Sequence, residues 1–147
     1  MNVKIHTPIV IAFLIVVSGC SEDRFTIVPV SGLVTLNGEP LEDAYVTFDP
    51  RSSSEDGIAG PGSFGRTDLQ GRYELTTFDD RKGAVQASHR VAIRTMIAEE
   101  DSNERVKIVR KELLPDEYHR RSILTFQVPQ GGTDQANFEL TSTKKKR

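Results

Sequence analysis

From residue 28 onward the chain alternates hydrophobic and polar positions with a period of two. Val28, Val30, Val34 and Leu36 share one parity, with Gly32 between them, while Ser31, Thr35 and Asn37 fall on the other. That pattern predicts a half-buried strand from Val28 to Leu36. Asn37-Gly38-Glu39-Pro40 supplies turn chemistry, because Asn and Gly tolerate positive φ and Pro ends the run. Ala44, Val46 and Phe48 resume the alternation in a second strand from Ala44 to Asp49. Further strands are predicted for Phe64 to Thr67, Arg72 to Thr77, His89 to Ile97, Leu124 to Val128 and Ala136 to Leu140. Asp68 and Gly71 form the tight turn before Arg72, Asp capping backbone amides and Gly taking positive φ. Arg51 to Ser63 is rich in Ser, Gly and acid and reads as a surface loop.

Ala98 to Ser122 breaks the alternation. Ser102 is placed to cap a short helix with Val106, Val109 and Leu113 on one face, although Val106 and Ile108 flanking Lys107 also suit a short strand. Pro115 stops either one. A long excursion with about one helical turn is the reading preferred from the pattern. Short strands, punctuating turns and no strong helix predict an all-β fold: a seven-stranded antiparallel β-sandwich of the Ig-like kind.

Composition adds bounds. A chain of 147 residues with 37% hydrophobic and 27% charged positions suits one domain with a modest core. The formal charge of −2 is spread along the chain, so nucleic acid is not an expected partner.

The first residues follow a different pattern. Lys4 and His6 precede nine apolar residues, Ile9 to Val17, a length that suits a signal-peptide core and falls short of the roughly 20 residues needed to cross a bilayer. Val17, Ser18 and Gly19 then lead to Cys20, the sole cysteine. An apolar residue, two small residues and Cys resemble a bacterial lipobox, in which the thiol accepts diacylglycerol. The alternative is a leftover free thiol on a cleaved leader. The resemblance implies residues 1–19 as signal peptide, 20–27 as lipidated tether, 28–141 as the β domain and 142–147 as a basic tail. It further implies export and a membrane partner held through acyl chains (palmitate among them) on Cys20. Ser21, where an Asp would favour retention, points to the outer rather than the inner membrane, with the domain in the periplasm or at the cell surface.

Candidate chemistry is sparse. After Cys20, His89 and His119 are the only histidines, on separate elements, with no HxH, HExxH or Cys cluster. Tyr45, Tyr73 and Tyr118 with both histidines match the ligand types of intradiol dioxygenases but lack their tight spacing. No GxSxG elbow flanks a serine, and the chain ends TSTKKKR rather than in the YRGS of hydroxyisourate hydrolases. Asp49, Glu55 and Asp56 lie in or beside the Gly-rich loop and Asp79 and Asp80 in a second, without EF-hand spacing. His119-Arg120-Arg121 and the terminal Lys144 to Arg147 are basic runs that suit anionic head groups or a solvated face. The expectation is therefore no catalytic residue, no metal and no cofactor.

The run Val30-Ser31-Gly32-Leu33-Val34-Thr35-Leu36-Asn37-Gly38-Glu39-Pro40-Leu41, followed by Ala44-Tyr45-Val46-Thr47-Phe48, resembles the opening hairpin of carboxypeptidase-regulatory-like domains, which are transthyretin-like (prealbumin-type) sandwiches. Thr67-Asp68 with Gly71-Arg72-Tyr73-Glu74-Leu75 resembles the same family's second hallmark. Leu114-Pro115, Tyr118, Ser122 and Leu124-Thr125 resemble a late segment of small planctomycete-type lipoproteins that carry this domain. Relatives often have Gly and an aromatic where this chain has Ala87-Ser88-His89, which leaves the start of that strand open. In this pattern Gly32 permits a bulge or close sheet packing, and Tyr73 is large enough to bridge two sheets while its hydroxyl finds a backbone partner. The expected function is an envelope lipoprotein whose sandwich is a non-enzymatic structural or binding module. The alternatives are an accessory domain for carbohydrate or Ca²⁺, or a small sandwich enzyme; an envelope protein or glycan is the expected further partner.

Overall fold

A computed structural model describes residues 24–51, 57–100 and 103–142. Cys20 and its Val17-Ser18-Gly19 prefix, Glu55, Asp56 and the Lys144 to Arg147 run lie outside the described residues.

The described chain is all-β with one short 3₁₀ turn. Its strands are β1 (Ile27–Val28), β2 (Ser31–Leu36), β3 (Glu39–Pro40), β4 (Tyr45–Pro50), β5 (Ser63–Arg66), β6 (Arg72–Glu74) and β7 (Thr76–Thr77). Then follow β8 (Ala84–Val85), β9 (Ser88–Arg94), β10 (Ile97–Glu100), β11 (Val106–Arg110), the 3₁₀ turn (Asp116–Tyr118), β12 (Thr125–Gln127) and β13 (Phe138–Leu140). A five-stranded sheet runs β12-β9-β4-β5-β7, and a second sheet runs β13-β2-β3, with β6 also paired to β2. Two separate ladders, β1-β8 and β10-β11, and the isolated bridges Val30 to Thr133 and Thr76 to Lys82 accompany them. The two main sheets contribute to one core, in which Phe48 of β4 meets Phe138 of β13 edge-on at 6.1 Å and Phe126 of β12 at 5.7 Å. Val34, Val46, Val91 and Ile93 are fully buried in that core, each contributing roughly 1.5–3 kcal/mol of apolar transfer.

The structure corrects the sequence reading at five places. The strand expected from Val28 to Leu36 is interrupted: β1 pairs with β8, Pro29 has no N–H to offer a ladder, and β2 turns to new neighbours. The strand expected from Arg72 to Thr77 divides at Leu75, β6 joining β2 in one sheet and β7 joining β5 in the other. The strand expected to reach Ile97 stops at Arg94, and Ile97 opens β10 instead. The helical turn expected within Ala98 to Ser122 is a β-hairpin, β10-β11, followed after Pro115 by the 3₁₀ turn. Lastly, the pairing is not wholly antiparallel. β13 runs parallel to β2, with Phe138 opposite Val34 and Leu140 opposite Leu36.

The turn motifs behave as their residue types require. Asn37 (φ 53°) and Gly38 (φ 88°) both take positive φ in the two-residue loop that closes Leu36 onto Glu39. The Asp68 carboxylate accepts the N–H groups of Gln70 (2.9 Å) and Arg72 (2.8 Å), and Gly71 has φ 73°. At Gly32 a Cβ would lie 2.1 Å from the Ala136 carbonyl oxygen, so Gly is what allows that close approach. Tyr73 is buried, and its hydroxyl donates to the same Ala136 carbonyl at 2.6 Å.

Candidate binding face

The alternation that buries one side of the five-stranded sheet leaves the other side as a continuous surface. Register sets its pattern. Tyr45 of β4 lies opposite Arg94 of β9 on one side and Arg66 of β5 on the other. The next row is Ala92, Thr47, Phe64 and Thr76 across β9, β4, β5 and β7. The row after that places Asp49 opposite Arg90, with Thr125 beyond it. Two grooves share this surface, and Thr47, Arg94 and Met96 line both.

The first groove, about 650 Å³, lies between the sheet and the segment around the 3₁₀ turn. Its charges are largely engaged by the fold. Arg90 donates to the carbonyls of His119 (3.3 Å) and Arg120 (3.1 Å), tying β9 to the 3₁₀ turn. Asp116 accepts from Arg120 at 2.9 Å and Arg121 at 3.2 Å, and the Arg120 hydrogen bond leads in holding its carboxyl below the usual range. The His119-Arg120-Arg121 run is therefore internally neutralised in part rather than presented as a free basic patch. His119 Nε2 contacts the Leu114 carbonyl at 3.0 Å.

Glu112 caps this region. Its carboxylate accepts backbone N–H groups from Thr95 (3.0 Å), Met96 (3.3 Å), Leu113 (3.0 Å) and Leu114 (3.0 Å), and the Thr95 hydroxyl at 2.6 Å. Burial pushes the Glu112 pKa up, but the bonds from the Thr95 hydroxyl and from the Leu114, Thr95 and Met96 amides outweigh it and hold the carboxyl below its ordinary value.

The second groove, about 410 Å³, is the aromatic end of the face. Phe64 and Phe78 stack with centroids 5.3 Å apart and planes 23° off parallel, yet they remain 39% and 64% exposed. Tyr45 lies beside them, with the Arg66 guanidinium 5.1 Å from its ring centroid. Arg66 also reaches Asp43, and Arg110 reaches the same carboxylate at 2.9 Å, so two guanidinium groups share one acid. The Arg94 side chain is exposed and has no hydrogen-bond or ion-pair partner among the described residues, and the Tyr45 hydroxyl likewise has none. Sequence reasoning missed this cluster. Tyr45, Phe64 and Arg94 are each the ordinary outward residue of a strand, and only their register brings them together.

The other candidates are placed elsewhere. His89 is fully buried against Phe48 (centroids 5.4 Å apart); its Nε2 contacts the Val85 carbonyl at 2.7 Å, and Nδ1 has no partner. Desolvation leads in pushing the His89 pKa below its usual value, which keeps the ring neutral near pH 7. Tyr118 is buried with its hydroxyl against Thr141, and Asp79 is bound by Arg81 and Thr77. Among the described residues no three His, Cys, Asp or Glu side chains converge, and no helix is long and apolar enough to cross a membrane.

No family model and no curated protein matches the chain. Among solved structures, a 9R-lipoxygenase from Cyanothece PCC8801 is similar at 12% identity and a TM-score of 0.38, over 78% of this chain and 16% of that one. The chain thus spans less than a fifth of the lipoxygenase, and a likeness of that degree assigns it neither a fold family nor a chemistry.

Proposed function

We propose that this chain is a membrane-anchored envelope lipoprotein whose β domain is a non-enzymatic binding module. The observation that carries the binding role is the exposed face of the five-stranded sheet. There Phe64 and Phe78 are partly exposed beside an Arg94 side chain and a Tyr45 hydroxyl that have no partner among the described residues. A face that exposes large rings and leaves strong donors unengaged suits recognition better than scaffolding alone. The anchor rests on Val17-Ser18-Gly19-Cys20 after the apolar run Ile9 to Val17, with the acyl groups on Cys20 and the outer membrane as destination. The domain is read as a prealbumin-type sandwich of the carboxypeptidase-regulatory-like kind. Supporting this are the β2-β3 hairpin through Asn37-Gly38 and Tyr73, which fastens β6 to the Ala136 backbone.

The anchor is tested by intact mass and membrane fractionation of the native protein beside Cys20→Ala. A wild-type chain that is membrane-bound and heavier by its acyl groups, beside a variant that is neither, supports the reading. Two soluble, unmodified proteins would remove the anchor from it.

A further inference from the structure

We infer that the aromatic groove of this face binds an acidic glycan, with the Phe64–Phe78 pair as the platform for a sugar ring and Arg94 as the cation for its carboxylate. The inference deepens the binding-module reading and rests on it.

Three features select this ligand class. The first is shape. The sheet contributes Tyr45, Thr47, Phe64 and Arg94 to the lining. It offers a flat surface rather than the deep, desolvated holes in which peptide anchor side chains are usually held. Phe78, stacked on Phe64 with the two planes 23° apart and itself 64% exposed, presents an apolar ring surface to solvent. A pyranose has such a surface too, because its axial C–H groups collect on one face while its hydroxyls project from the rim. The second feature is hydrogen bonding at the rim. The Tyr45 hydroxyl, without a partner among the described residues, is placed to meet a sugar hydroxyl.

The third feature is charge. Among the described residues Arg94 is the one charged residue lining this groove. Behind Tyr45, the Asp43 carboxylate is shared by Arg66 and Arg110, so that cluster keeps a positive excess. In the first groove Glu112 is held by backbone amides and Asp116 by Arg120 and Arg121, while Asp49 lies opposite Arg90 and does not line the aromatic groove. A neutral sugar would leave Arg94 unanswered, whereas a uronate carboxylate can engage its planar guanidinium through two parallel N–H bonds.

The test uses the full-length chain in detergent micelles and isothermal titration with tetragalacturonate. Its carboxyl-reduced form, in which each carboxylate has become CH₂OH, serves as the uncharged probe. Tetragalacturonate should bind, and the reduced probe should bind at least about tenfold more weakly. Arg94→Gln should weaken tetragalacturonate about tenfold and Arg94→Lys by less, since Lys keeps the charge and loses the fork. Phe78→Ala should weaken both probes about fivefold. All three substitutions are at exposed positions, and unchanged thermal midpoints will verify folding. Equal affinity for the two probes, or loss on Phe78→Ala with full affinity in Arg94→Gln, would overturn the acidic-glycan assignment while leaving a binding face. Absence of binding to either probe would overturn the assignment as well. Failure of the anchor is read separately, from Cys20→Ala, and affects none of these outcomes.

Discussion

Tyr73 shows how a single side chain fastens distant parts of this fold. Its ring sits in the core, and its hydroxyl donates to the carbonyl of Ala136, 63 residues away in sequence. The same carbonyl occupies the space that a Cβ at position 32 would need, so Gly32 and Tyr73 are two halves of one close approach. Burial pushes the Tyr73 phenol well above its ordinary pKa, and the group stays protonated as a donor at every physiological pH. Tyr73→Phe removes the donor and leaves the Ala136 oxygen buried without it. The expected loss is about 1–2 kcal/mol, read as a lower urea midpoint at unchanged slope. The residue types at Gly32, Asn37-Gly38, Asp68 and Gly71 announce special backbone geometry because turn chemistry is local. Asp43, with φ 61°, gives no such signal: its conformation is held by Arg66 and Arg110, the latter 67 residues away.

At the scale of elements, the hairpin β10-β11 is where local pattern and tertiary pairing part company. Val106, Val109 and Leu113 have helical spacing, yet they are among the most exposed apolar residues in the domain. The described residues leave that stripe uncovered, and extended pairing sets Glu99 against Lys107 and Ala98 against Ile108. The hairpin is tied at its base by Glu112 and by Arg110, whose Nε donates to the Thr95 carbonyl at 2.6 Å. Glu112→Gln exchanges a carboxylate that accepts several N–H groups for an amide with one acceptor oxygen. Amide exchange of Thr95 to Leu114 should speed up by about tenfold, while the β4-β9 ladder keeps its protection. If the hairpin exchanges at the wild-type rate, the carboxylate is not what holds it.

At the scale of the whole molecule, acid stability follows from two buried or half-buried groups. His89 has a folded pKa below its unfolded value, so the stability its neutral ring allows is complete above about pH 6.5 and declines as pH falls toward the folded value. Glu112 is also depressed on folding; its contribution is complete above about pH 4.3 and is lost as pH falls through its lower folded value. Unfolding free energy measured in urea should therefore fall between pH 7 and pH 5, and His89→Gln should flatten that slope whatever it does to stability at pH 7. An unchanged slope would assign the pH dependence to other groups. The sequence by itself determined the all-β class, most strand centres and the inward residues Val34, Val46, Phe48, Val91 and Ile93, because period-two alternation is a property of neighbours along the chain. Tertiary structure decided what depends on pairing between distant segments. It set the parallel seating of β13 on β2, the crossing between sheets at Leu75, the hairpin at β10-β11 and the arginine–tyrosine row across β9, β4 and β5. Register fixes which outward residues become neighbours, and strands far apart in sequence carry no local mark of it.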